Sequence, residues 1–278
     1  MNGFSPDWLA LREPVDHRSR DSALAARLSA LFAGRSRVTM VDLGCGAGSN
    51  IRATYKLLPP EQSWTLVDYD ARLLAVARER LAAWADTCSA DADGLRLAKD
   101  GRHLSVQFLQ ADLTKELDLA LGTAPDLVTA SAFFDLCSAA FIRRFAKAIA
   151  ARRAAFYTVL TYNGQQAWTP AHPADAALQH FFHAHQAGDK GFGPAAGPGA
   201  AGSLEVAFED QGYNVVEGDS PWRLGPHDAR LIADLAAGYA GAVAETGHVH
   251  AGTLADWSRI VRTGAVVGHT DTLATALE

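Results

Sequence analysis

Apolar residues recur along the chain at two spacings, and the alternation between them outlines the fold. Between residues 6 and 34, Ala23, Leu24, Leu28, Leu31 and Phe32 fall at helical spacing until Gly34 stops the run, with Asp16 a candidate cap residue. Residues 38–43 are β-branched or apolar and read as a strand ending in the glycine-dense turn 44–48. The rhythm continues with a helix over 50–58, closed by Pro59 and Pro60, then a strand over 64–67 and a helix over 71–85. Strands follow at 104–109 and 126–130, a helix at 141–151 and a fifth strand at 155–161. Strands alternating with helices at this pitch predict βαβ units, hence a doubly wound, mostly parallel sheet with helices on both faces.

The rhythm breaks at Asn163. Residues 163–202 are rich in Gly, Pro, His and aromatics and read as an insertion after the fifth strand. Helix is expected again over 203–211 and 228–245, with strand-like runs at 213–216 and 265–268. We expect seven strands, the last antiparallel, in one Rossmann-like α/β domain over residues 1–278. The helical segment 1–37 and the insertion 163–202, a substrate lid, are its decorations.

Composition narrows the class. The chain is 49% hydrophobic and 20% charged, which fits a packed globular protein and excludes disorder for most of it. Its net charge is −6, from 25 basic and 31 acidic residues, which speaks against nucleic acid or anionic membrane partners. Cys45, Cys88 and Cys137 are far apart and odd in number, so neither a disulfide framework nor a cysteine zinc site is expected. No signal-peptide core or membrane-length apolar run is present, and a cytoplasmic location is the expectation.

The turn after the first strand carries the most chemistry. Glycines at a strand-to-helix junction let backbone turn sharply and approach a ligand closely. The spacing is G-x-G-x-G over Gly44, Gly46 and Gly48. A dinucleotide fingerprint G-x-G-x-x-G fails at Ser49 and, one step on, at Ile51. Asp42, inside the strand end, would sit poorly beside a pyrophosphate and well beside an ammonium group. Cys45 lies in the loop without a basic neighbour in sequence, which argues against a nucleophile.

This segment resembles motif I of the class I S-adenosylmethionine-dependent methyltransferases, and further motifs follow in order over residues 38–135. Asp68 matches the family's acid on the ribose hydroxyls, where a carboxylate can accept from both hydroxyls of a cis-diol. Asp112, within Ala111-Asp112-Leu113, matches the position that receives the adenine amino group. Residues 125–131, ahead of Phe133, Phe134 and Asp135, look like motif IV. The resemblance implies S-adenosyl-L-methionine as cofactor, held by Asp42, Gly44, Cys45, Gly46, Gly48, Asp68, Tyr69, Asp112, Leu113 and Ser131.

The flanks supply the remaining candidates. Asp16 and Arg20 are four apart and are expected to share a helix face and pair. In a sharper reading this helix folds over the cofactor and brings Arg20 (or Arg18) to its carboxylate, which a guanidinium binds bidentately. A small-molecule methyl acceptor would be held by Phe134, Tyr162, Trp168, Asp189, Lys190 and Trp222, aromatic and polar groups suited to a concave pocket. His185 and His172 are the candidate general bases. His180, His183, His185, His248 and His250 show no H-E-x-x-H spacing, and no metal is expected. Three other readings stay open: a different transfer from a related sulfonium (such as aminopropyl transfer), a protein side-chain methyltransferase, and a non-catalytic module that only binds the cofactor.

Overall fold

The computed structural model describes residues 4–91 and 94–277. One ten-stranded sheet runs through it. Its strands are β1 Arg37–Leu43, β2 Glu61–Asp68, β3 Thr87–Asp91, β4 Gly94–Lys99, β5 Arg102–Gln110, β6 Leu127–Ser131, β7 Ala155–Thr169, β8 Tyr213–Asp219, β9 Trp222–Leu224 and β10 Gly264–Ala276. The spatial order is β3-β4-β5-β2-β1-β6-β7-β10-β8, with β9 beside β10. The five central strands, β5 to β7 in that order, pair in parallel. β10 lies antiparallel between β7 and β8, so the final strand is antiparallel as expected.

The helices are α1 Pro6–Ser19, α2 Ser22–Leu31, α3 Ser49–Thr54, α4 Ala71–Trp84, α5 Leu113–Leu121, α6 Ala139–Arg152, α7 Asp175–Gln186, α8 Ala200–Glu209, α9 Ala229–Glu245 and α10 Ala251–Ser258. They cover both faces of the sheet. One core holds Leu28, Trp64 and Tyr157. The other holds Phe134, Phe145, Phe156 and Phe208, whose rings meet at centroid distances near 5 Å, such as 4.9 Å for Phe134–Phe145 and for Phe156–Phe208. No described helix is long and apolar enough to cross a membrane.

Four expectations change. The sheet has ten strands instead of seven, because the hairpin β3–β4 extends one edge and β9 adds a short pairing. The first helical run is two helices. Asp21 caps α2 by accepting from Leu24 N at 2.7 Å, while Arg20 between the helices is extended. Asp16 lies in the last turns of α1 and does not pair with Arg20; it accepts from Arg12 Nε at 2.8 Å and from Trp222 Nε1 at 3.0 Å. Finally, the chain does not leave the sheet at Asn163. β7 runs on to Thr169 because the long strand β10 pairs with it from Phe156 to Thr169, across two register shifts.

A buried carboxylate fixes one of these shifts. Leu160 adopts φ 59°, which turns its N–H onto Asp271 Oδ1 at 2.8 Å. Asp271 Oδ2 accepts from Asp21 N at 2.9 Å, so the same side chain anchors the break between α1 and α2. Removing it leaves two backbone donors unpaired, one of them buried. Asp271→Ala is expected to cost about 2–4 kcal/mol of unfolding free energy in urea titration. A loss under about 0.5 kcal/mol would show that water replaces the carboxylate.

Candidate active site

The turn between β1 and α3 needs its glycines for two separate reasons. Gly44, Gly46 and Gly48 have φ of 60°, 52° and 73°, in the left-handed region. Space is short as well: a Cβ on Gly44 would lie 2.7 Å from the Phe133 ring, and one on Gly46 would lie 3.2 Å from Leu9 of α1. The turn is closed by Cys45 N donating to Val67 O at 3.0 Å and Gly46 N donating to Asp68 Oδ2 at 2.8 Å. Asp68 Oδ1 accepts from Asp70 N at 2.9 Å. Each Asp68 oxygen retains acceptor capacity beyond these bonds. Burial raises its pKa against the backbone donors that lower it.

Below the turn runs a line of buried polar groups. Arg20 Nη1 donates to Thr54 Oγ1 at 3.0 Å, and Thr54 Oγ1 donates to Asn50 Oδ1 at 3.3 Å. Asn50 Nδ2 then donates to Asp42 Oδ1 at 2.6 Å, and Thr129 Oγ1 of β6 donates to the same oxygen at 2.8 Å. Asp42 is fully buried, and burial pushes its pKa up to about 6 despite these two donors and the Arg20 charge. The line is incomplete at both ends: Asp42 Oδ2 and Arg20 Nε and Nη2 are buried without a hydrogen-bond partner. An unpaired carboxylate oxygen and an unpaired guanidinium edge complement the ammonium and carboxylate of an amino acid. Asn50, Thr54 and Thr129 were not singled out in the sequence; their only signal is position, one helical turn apart on α3 and opposite Asp42 on β6.

α1 is clamped over this turn. Glu13 accepts from Arg52 Nε and Nη2, both at 2.7 Å, and His17 Nε2 sits 2.9 Å from Ser49 Oγ. Arg18, the alternative to Arg20, is drawn away to both oxygens of Asp228 at 2.7 Å. The Cys45 thiol is buried, and burial with the charges of Asp68 and Asp42 pushes its pKa well up, so it is no nucleophile.

The other predicted residues scatter. Asp112 caps α5: Oδ1 accepts from Thr114 N at 3.0 Å, Oδ2 pairs with Lys115 at 2.9 Å, and these bonds hold its pKa down to about 2. Leu113 is buried behind it, Ser131 ends β6 half-buried, and Tyr69 beside Asp68 is 72% exposed. Phe134 is sealed in the phenylalanine core, so its place in a substrate pocket is corrected; Phe133 is the ring that faces the glycine turn. Trp168 packs against Tyr239 and Trp257 at 5.7 and 5.4 Å, a cluster under α9 and α10. Asp189 Oδ1 accepts from Gly191 N and Gly193 N, shaping its own loop, and Lys190 follows half-buried. His185 pairs with Glu245 at 2.9 Å on the outer helices, and His172 Nδ1 accepts from Ala174 N ahead of α7. Neither histidine meets the polar line, because α7 turns His185 toward α9.

Tyr162 and Trp222 both border His269, in a second buried cluster. The Arg12 guanidinium carbon lies 5.1 Å from the Trp222 ring centroid, and that ring is 5.3 Å from His269. Tyr162 is 6.3 Å from His269, and its hydroxyl is 3.0 Å from His183 Nε2. Asp135 Oδ2 accepts from Gln186 Nε2 at 3.3 Å. Burial raises Asp135 to about 6, opposed by Arg12, and lowers His269 to about 3. Among the described residues no group of side chains has the makings of a metal site. Two open depressions lie elsewhere, one between α6 and α8 and one at the N-terminal end of β1, β2 and β5, away from these groups.

No protein-family model matches the sequence, and no curated protein matches it. Solved structures match the fold. YcgJ of Bacillus subtilis is 14% identical with a TM-score of 0.55, over 94% of this chain and 99% of that one. BH2331 of Bacillus halodurans C-125, assigned as a methyltransferase, is 11% identical with a TM-score of 0.54, over 92% and 100%. The cyclopropane synthase MmaA2 of Mycobacterium tuberculosis is 13% identical with a TM-score of 0.53, over 98% and 95%. The chain has the class I methyltransferase fold.

The raised Asp42 pKa has a sign that can be measured. Its folded value of about 6 exceeds the ordinary carboxylate value, so its contribution to stability is full below about pH 4 and is lost as pH rises through 6. His269 acts oppositely, since its depressed pKa costs stability as pH falls. The difference isolates Asp42: wild type minus Asp42→Asn is expected to decline by about 1–3 kcal/mol from pH 4 to 7 in urea titrations of the ligand-free protein. A difference independent of pH would contradict the buried, half-paired carboxylate.

Proposed function

We propose that the protein transfers a methyl group from S-adenosylmethionine to a small-molecule acceptor. The observation that carries this reading is the pair of unsatisfied buried groups, Arg20 Nε and Nη2 and Asp42 Oδ2, beneath a glycine turn on this fold. They suit the amino-acid end of the cofactor. Asp68 and the turn suit its ribose, and the family resemblance assigns Asp112 and Leu113 to its adenine. When bound, this cofactor supplies an activated methyl carbon and a thioether leaving group.

The chain's residues then have three tasks: align the acceptor, exclude water and take a proton where the acceptor bears one. α1 covers the turn through Leu9, Glu13 and His17. The segment after α7 packs Phe192 against Phe133 and Phe141, at 5.4 and 4.7 Å, over the C-terminal end of β6. Both enclose the site, which supports a small acceptor over a protein side chain and gives 170–199, the part of the expected lid beyond β7, a covering role. The unpaired guanidinium favours a cofactor that keeps its carboxylate, and so disfavours aminopropyl transfer. The net charge of −6 disfavours a nucleic acid acceptor.

Calorimetry with S-adenosylmethionine and S-adenosylhomocysteine tests the reading. Both are expected to bind, and Asp68→Ala and Arg20→Ala are each expected to weaken binding by about tenfold or more. Failure of the wild type to bind either ligand overturns the reading, and a change below about twofold in Arg20→Ala removes Arg20 from it.

A further inference from the structure

The cluster around Asp135 is built from six elements, and nothing in cofactor binding uses it. Arg12 comes from α1, Asp135 from the turn after β6, Tyr162 from β7, Gln186 from α7, Trp222 from β9 and His269 from β10. Asp135, Gln186 and His269 are 8%, 8% and 6% exposed. Each retains a buried polar atom without a partner: Asp135 Oδ1, Gln186 Oε1 and His269 Nδ1. Leaving one such atom unpaired is destabilising, and three within one cluster are a feature to be explained.

The cluster adjoins the glycine turn along two chain segments. Leu9, which meets Gly46, is one helical turn before Arg12 on α1. Phe133, which meets Gly44, is two residues before Asp135. Arg12 is already spent on Asp16, with bonds of 2.8 and 3.3 Å, so it offers little to an anionic ligand. The free atoms of Asp135 and Gln186 are both acceptors. A ligand that satisfies them must bring at least two hydrogens on one polar group or on adjacent ones. A single hydroxyl has one and a carboxylate none; paired hydroxyls bring two but no charge, whereas a primary ammonium brings three with a charge that matches an ionised Asp135. Tyr162, Trp222 and His269 give this region aromatic surroundings suited to a cationic or aromatic body.

We infer that Asp135 and Gln186 bind the methyl acceptor, that it is a primary amine, and that Asp135 Oδ1 receives its proton. The inference rests on the methyl-transfer reading above. An ammonium N–H bond breaks and an O–H bond forms on Asp135, leaving the lone pair on nitrogen. That pair forms the N–C bond to the methyl carbon as the C–S bond breaks, its electrons staying on sulfur; the product is an N-methylammonium and a neutral thioether. Arg12 and Gln186, facing Asp135 from α1 and α7, steady its ionised form before this step.

The test is calorimetry on protein saturated with S-adenosylhomocysteine, using benzylamine and phenethylamine against benzyl alcohol and 2-phenylethanol. The amines are expected to bind about tenfold or more tightly than the matched alcohols, and Asp135→Asn to remove that preference. Gln186→Met should reduce it by a smaller factor. S-adenosylhomocysteine affinity is expected to stay within about twofold in both variants, which also reports that they fold. Amines that bind no better than the alcohols, or an Asp135→Asn protein that keeps the preference, overturn this inference alone. Failure of the wild type to bind S-adenosylhomocysteine overturns the reading beneath it.

Discussion

A carboxylate buried at the end of a central strand is expensive, and the architecture around the turn is organised by that cost. Asp42 is screened from water by β2, β6 and α3, and its donors Asn50 and Thr129 both reach the same oxygen. Taking a charge out of water costs several kcal/mol unless it is paired. Arg20 is near enough to lower the Asp42 pKa but directs its Nη1 hydrogen bond to Thr54. The ligand-free protein therefore holds opposite charges, linked through Thr54 and Asn50, with their outer faces unsatisfied. A zwitterion completes both at once. Ligand affinity at this end is then stability withheld from the free fold.

Other features keep that arrangement open. Left-handed glycines bring backbone down to the site without side chains in the way, and the break between α1 and α2 places Arg20 where a continuous helix would not. The break is itself secured by Asp271 of β10, which holds Asp21 N and the Leu160 bulge together. The bulge changes the course of β7 just before Tyr162, on the way to the second cluster. One buried carboxylate thus ties the register of β7 against β10 to the helix break at Arg20.

Much of this was legible in sequence, and unevenly so. The alternating apolar runs give the parallel strands β1, β2, β5, β6 and β7, because strands covered on both faces must be apolar. The glycine turn, Asp42, Asp68 and Arg20 were readable as candidates because their chemistry is local: close approach, an acid at a strand end, a cation at the end of a covering helix. The hairpin β3–β4 was missed since its short polar segments pair at an edge, where periodicity is weak. The length of β7 and β10 was missed since each depends on the other, a long-range pairing with no local signature. The places of His172, His185, Trp168 and Phe134, away from the polar line, were illegible for a related reason. A reactive side chain in a promising segment says nothing about the face on which the helix or strand presents it. Asp135 stood out only as part of a motif, and Gln186 only as one residue of the insertion, because a polar residue becomes informative when burial leaves it unpaired.

The central claim is that Arg20 and Asp42 are incomplete until they meet an amino-acid zwitterion. The most direct measurement compares two ligands sharing the adenosine and sulfur but differing in that end: S-adenosylhomocysteine and 5′-methylthioadenosine. Isothermal titration is predicted to give S-adenosylhomocysteine an advantage of about a hundredfold or more, falling to about tenfold or less in Arg20→Ala. Equal affinities for the two ligands in the wild-type protein would contradict the account.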